Sequence, residues 1–217
     1  MIAELGHFSL ILALAMAVLT LLTVAVGTRR HDQALLQVAI PGSISQFALV
    51  LLAFAALMHA YVTSDFSVAN VYQNSHSLKP LLYKIAGVWG NHEGSMVLWV
   101  LILAAFGASV AFFGSNLPIE LRSLVLATQA AIATSFLTFI VLTSNPFQRL
   151  DPAPIEGLGL NPVLQDPALA FHPPFLYLGY VGFSMAFSFA VAALIDGRID
   201  AAWARWVRPW TLAAWMC

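Results

Sequence analysis

The chain has 217 residues, 60% hydrophobic and only 9% charged, with a formal net charge of -1 at pH 7. Soluble domains carry about 25% charged residues, so this chain is solvated mainly by lipid, and it lacks the basic face that nucleic-acid binding requires. The single cysteine, Cys217, is the last residue, which excludes disulfides and cysteine-rich metal sites within the chain.

An apolar stretch of about 18 or more residues is long enough to cross the hydrocarbon core as a helix. The first such stretch, residues 8–27, follows the flank "MIAELGH", which holds Glu4 and no basic residue, and it precedes Arg29 and Arg30. Signal peptides carry their positive charges first, so a retained helix with its N-terminus outside is expected. Further stretches follow at 44–62, 95–113, 124–142 and 175–195, none of them containing Asp, Glu, Lys or Arg. A sixth begins at Trp210, in "PWTLAAWMC", and ends after about two turns, which reads as a fragment or a split product of a longer protein. The expectation is an all-α polytopic membrane protein, a single membrane domain over 1–217, with five complete transmembrane helices and the start of a sixth.

Basic residues orient the bundle. The connections after the first, third and fifth stretches hold Arg29, Arg30, Arg122, Arg198, Arg205 and Arg208, whereas Lys79, Lys84 and Arg149 follow the second and fourth. The positive-inside rule makes the first group cytoplasmic. The two outer segments, 63–94 and 143–174, are long for connections without a function. Their content of Pro, Asn and aromatic residues suits ordered structure packed on the membrane surface.

The first outer segment ends in "YKIAGVWGNHEGSMVLWV", which gathers Trp89, His92, Glu93 and Trp99 around the start of the third helix, with Ser95 as a candidate cap. Two readings stand here. The cluster is an interfacial belt of aromatic and solvated polar residues, or it is a binding surface for something flat and apolar with polar edges. The second outer segment carries prolines at 146, 152, 154, 162 and 167, which forbid a long helix, and ends at "FHPP". Pro173 and Pro174 suit the first turn of a helix, so the fifth helix is expected to start there with His172 just before it. An imidazole so placed is either a ligand or an ordinary interfacial histidine. His7, His31, His59 and His76 have no partner at same-helix metal spacing, and no hydrolase triad, phosphate loop or CxxC is present. A transport or respiratory subunit, using its outer loops as partner contacts, is the alternative class. The lack of charge inside the five stretches weighs against an ion path.

Four segments together, "YKIAGVWGNHEGSMVLWVLIL", "LTSNPFQRL", "PIEGLGLNPVLQDPALAFHPPFLYLGYVGFSMAFSFA" and "ARWVRPWTLAAWM", closely resemble the N-terminal third of the CcmF family. Its members are the large haem lyase subunits of bacterial cytochrome c maturation. The resemblance implies a multi-pass protein of the bacterial inner membrane whose loops hold haem in the periplasm for covalent attachment to apocytochrome c. It implies that His172 is one of two external axial haem ligands, so that any metal is held through haem iron. Trp89, His92 and Glu93 become candidate pocket residues. The family's second external histidine, its b-type haem ligands and its Trp-rich segment have no counterpart in these 217 residues. The partners implied are a periplasmic haem chaperone, apocytochrome c, other maturation subunits and a separate C-terminal lyase chain.

Overall fold

Hydropathy and caps together set the helices. The computed structural model describes residues 1–217 and contains α1 (Ile2–Arg30), α2 (Gln33–Gln37), α3 (Ala39–Thr63), α4 (Ala69–Asn74), α5 (Leu81–Gly87), α6 (His92–Phe113), α7 (Ile119–Leu142), α8 (Pro167–Asp196) and α9 (Ala201–Met216). An isolated antiparallel bridge between Val68 and Arg149 is the sole β pairing. Five spans are long and apolar enough to cross a membrane: Ile2–Arg30, Gln33–Thr63, His92–Asn116, Ile119–Leu142 and Pro167–Asp196.

The spans pack through alanines interleaved with branched aliphatic residues. Leu10, Ala13, Ala17 and Val24 of α1 are fully buried, and α1 packs on α3 and α7. From α3, Val50, Ala53 and Leu57 are equally buried, and α6 lies against its other side. In lipid no hydrophobic force drives one helix onto another, so close approach of backbones and interhelical hydrogen bonds carry the association. Gln129 of α7 supplies two such bonds, donating from Nε2 to Ser184 Oγ at 3.0 Å and Ser188 Oγ at 2.9 Å on α8. Ser123 Oγ donates to the Leu36 carbonyl at 2.8 Å, which fixes the short α2 against α7. Each bond of this kind contributes about 0.6 kcal/mol.

Two sequence expectations are corrected. The fifth spanning helix starts at Pro167, capped by Asp166, whose side chain accepts from Ala168 N at 2.8 Å. Pro173 and Pro174 therefore lie inside α8, and His172 belongs to the helix rather than preceding it. The physical reason is that "DP" at 166–167 provides the same cap-plus-proline start six residues earlier, with a side-chain oxygen that Pro173 has no equivalent for. The last helix likewise begins at Ala201, not Trp210, because Asp200 caps it through Trp203 N at 2.8 Å. This 16-residue helix carries Arg205 and Arg208 and packs back along α8. A Cβ on Gly182 would come within 2.8 Å of Ala214 Cβ, which shows how close the two helices lie.

At the opposite end of the bundle the two long segments dock on each other. Ala69 N donates to Gln148 O at 2.8 Å, Leu150 N to Ser67 O at 2.8 Å, Leu158 N to Tyr72 O at 2.7 Å and Gly159 N to Ser75 O at 3.0 Å. Arg149 bridges Glu4 of α1 at 2.7 Å and Asp65 at 3.3 Å, tying both loops to the start of the first helix. Segment 143–166 contains no α-helix and one short 3-10 turn, Pro162–Leu164, as its prolines dictate.

Candidate functional site

The site is built where the α5–α6 turn meets the first turns of α8. Asn91, rather than Ser95, caps α6: its Oδ1 accepts from Gly94 N at 2.8 Å, while Ser95 Oγ donates back to the His92 carbonyl at 2.8 Å. The same Asn91 side chain is the hub of a closed ring. Asn91 Nδ2 donates to Tyr61 Oη at 3.0 Å, Tyr61 Oη donates to Asn70 Oδ1 at 2.6 Å, and Asn70 Nδ2 donates to Asn91 Oδ1 at 2.8 Å. Asn70 Nδ2 also reaches Glu93 Oε2 at 3.1 Å. Tyr61 is fully buried and Asn70 is 4% exposed, so these polar groups satisfy one another instead of water.

The ring holds the Trp89 turn still. Gly90 N donates to the Ala86 carbonyl at 2.9 Å, and Asn91 Nδ2 to the Gly87 carbonyl at 2.8 Å. From this turn the Trp89 indole Nε1–H donates to the Ala170 carbonyl of α8 at 3.0 Å. That carbonyl has no helical partner, because the residues three and four positions on are Pro173 and Pro174, which carry no N–H. Left alone, a buried carbonyl of this kind costs about 1–3 kcal/mol.

Between the two elements lies an open cleft of about 370 Å³, lined on one side by Trp89, His92 and Ser95 and on the other by Leu169, Pro173 and Tyr177. His92 Nε2 is 3.0 Å from Ser144 Oγ, and its ring meets Phe139 edge-on at 6.1 Å. Glu93 turns away from the cleft into the asparagine network. Leu169, Pro173 and Tyr177 recur every four residues on one helical face. His172, about 100° from Pro173, lies on the adjoining face. There it is exposed and forms no side-chain hydrogen bond within the chain, among exposed Phe171, Phe175 and Leu176. The structure thus brings Trp89 and His92 together at the cleft, joins Trp89 to the His172 turn, and directs Glu93 inward. No cluster of three or more His, Cys, Asp or Glu residues is arranged to hold a bare metal ion.

Asn70, Asn91, Tyr61 and Ala170 were not legible as site residues. The capping preference for Asn was available as a signal at 91. The two carbonyls that a Pro-Pro pair deprives inside a helix were also available, but nothing in the order of residues pairs them with an indole 81 positions away.

Comparison with known proteins shows where this architecture recurs. The profile of the family described as Cytochrome C assembly protein matches residues 89–217. "Cytochrome c-type biogenesis protein ccl1" of Rhodobacter capsulatus is 63% identical over 216 residues, which is 100% of this chain and 33% of that protein. "Cytochrome c-type biogenesis protein CcmF" of Pseudomonas aeruginosa is 52% identical, over 99% of this chain and 33% of its own. A solved structure, "Cytochrome c Heme Lyase CcmF", superimposes with a TM-score of 0.87 at 31% identity, over 99% of this chain and 34% of that one. The chain spans about a third of the length of the curated relatives it matches. With five apolar spans and these relatives, it is a multi-pass membrane protein.

Proposed function

Because the chain belongs to the Cytochrome C assembly protein family, we propose that it is a membrane part of a cytochrome c haem lyase, holding haem at the periplasmic face for attachment to apocytochrome c. The observation that carries this reading is His172: an exposed imidazole without a hydrogen-bond partner in the chain, standing among Phe171 (57% exposed), Phe175 (59%) and Leu176 (49%). An apolar, aromatic surface with one free imidazole matches a porphyrin, which offers a flat apolar face and an iron that imidazole binds well. His172 would supply one ligand to the haem iron, and a further ligand would come from another lyase segment or a separate C-terminal lyase chain.

When bound, haem supplies the vinyl groups across which the two thiols of the CxxCH motif of apocytochrome c add. The chain's own residues need no nucleophile for this. His172 fixes the position of the iron, the phenylalanines keep one face of the macrocycle dry, and the substrate's vinyl edges are thereby presented to the thiols in reactive geometry. The cleft beside Trp89 and His92 receives the polar edge of the haem or the surface of a partner. The partners are a periplasmic haem chaperone that delivers haem, apocytochrome c and other maturation subunits. The location is the bacterial inner membrane, with segments 63–94 and 143–174 in the periplasm, and b-type haem accompanies the haem in transit elsewhere in the assembly.

The test is His172→Ala in native bacterial membranes, reading haem retained by the purified protein and the yield of c-type cytochrome. Both should fall to the level of cells without the lyase. Unchanged haem and unchanged yield would overturn the proposal.

A further inference from the structure

Ala170 lies two residues before His172, and its carbonyl has no backbone donor within α8. Both helical donor positions that could serve it, three and four residues on, are prolines, and at 2% exposure the residue has no access to bulk water. Of the hydrogen bonds made by residues 167–172, the one from Trp89 is the one that reaches another element of the fold. The Trp89 turn is itself held by the closed Tyr61–Asn70–Asn91 ring. The first turns of α8, joined to the rest of the helix across two missing rungs, are thus tethered to this hydrogen-bonded ring by one indole N–H.

We infer that Trp89 is a positioning residue for His172. Its N–H replaces the helical donor that Pro174 lacks, and so sets the height and rotation of the turn that presents the imidazole. This rests on the reading of His172 as a haem ligand. The indole does not touch the haem iron; it acts through the Ala170 carbonyl. A Pro-Pro pair after the ligand leaves the turn adjustable, and Trp89 fixes which setting it takes.

Two substitutions separate the N–H from the bulk of the ring. Trp89→Phe keeps an aromatic ring and removes the donor. Pro174→Ala puts an N–H back at the position that serves the Ala170 carbonyl within the helix. In native membranes with haem limiting, Trp89→Phe should retain about tenfold less haem, the effect of one lost buried hydrogen bond. The Trp89→Phe/Pro174→Ala double variant should return to within about twofold of wild type. A second readout needs no haem: the rate at which diethyl pyrocarbonate modifies His172 in haem-free membranes should rise in Trp89→Phe and fall back in the double variant. Should Trp89→Phe fail to accumulate, the double variant must restore its level.

Wild-type behaviour of Trp89→Phe in both readouts would overturn the inference, as would a double variant as defective as Trp89→Phe. His172→Ala distinguishes the two proposals. If it loses haem while Trp89→Phe changes nothing, the ligand stands and the positioning role fails. If it keeps haem while the modification rates follow the predicted pattern, the ligand reading fails and the tether stands.

Discussion

Gly94 tolerates no side chain. A Cβ there would sit 1.7 Å from the Val88 carbonyl oxygen, because the first turn of α6 is pressed onto the turn that carries Trp89. Gly94→Ala must therefore push α6 away from that turn, and the detergent-solubilised protein should unfold at a clearly lower temperature and lose the Trp89 contact. Tyr61→Phe tests the neighbouring ring more gently. It removes the hydroxyl that accepts from Asn91 and donates to Asn70, leaving the buried Asn70 Oδ1 without its donor at about 1–3 kcal/mol, while Asn91 Nδ2 keeps the Gly87 carbonyl. The unfolding midpoint should drop by about 2–4 °C for each kcal/mol lost, and an unchanged midpoint would refute the ring's structural role. These residues show how far reading a sequence reaches. "WGNHEGS" stands out for its glycines and its His-Glu pair, and it does mark a tight turn before a helix. Its centre is nevertheless Asn91, whose partners Asn70 and Tyr61 lie 21 and 30 residues back. Spacing along the chain carries no trace of a contact made through tertiary packing.

The elements were legible in proportion to their hydropathy. All five spans follow from apolar length. Of segment 143–174, expected to hold no long helix, residues 143–166 contain no α-helix, while 167–174 form the first turns of α8, with Pro167 opening it rather than forbidding it. The start of α8 was misplaced because two proline signals compete, and only a cap oxygen, supplied by Asp166, decides between them. The docking of the two outer loops on each other was expected only as order, not as a set of contacts. One of those contacts is pH-dependent. Glu156 accepts from Ser77 N at 2.9 Å and Gly157 N at 3.0 Å, and the Ser77 hydroxyl also donates to it. These bonds, the Ser77 side chain first, lower its pKa from 4.5 to about 2. The folded value is depressed, so the stabilisation is complete above the unfolded value of 4.5 and is lost as pH falls from there through about 2. Protection of the Ser77 and Gly157 amides against hydrogen exchange, corrected for intrinsic rates, should fall across that window. In Glu156→Gln it should already be low at neutral pH, with no further acid step. Equal protection at both ends of the window in the wild-type chain would contradict the linkage.

Charge orients the molecule as a whole. A cavity at one end of the bundle is lined by Thr28 in the last turn of α1 and His31 just after it, by Glu120 at the start of α7 and by Asp196 at the end of α8. The connections that hold Arg29, Arg30, Arg122 and Arg198 therefore gather at a single end, and the docked outer loops, with Lys79, Lys84 and Arg149, stand at the other. With the arginines so divided, we propose by the positive-inside rule that the arginine-rich end lies in the cytoplasm. In that proposed orientation His172, the cleft and the Trp89 tether lie on the outer face, as the haem-holding proposal requires. The orientation can be read directly by labelling. Cys217 is the sole cysteine and is exposed, so a Cys217→Ser background accepts single reporters. Leu78→Cys, at a position 87% exposed in the first outer loop, should react with a membrane-impermeant maleimide in intact spheroplasts. Asn116→Cys, exposed between α6 and α7, should react only after the membrane is opened. The reverse pattern would put the imidazole of His172 on the cytoplasmic side, out of reach of any periplasmic haem donor, and the haem-holding proposal would fall with the topology.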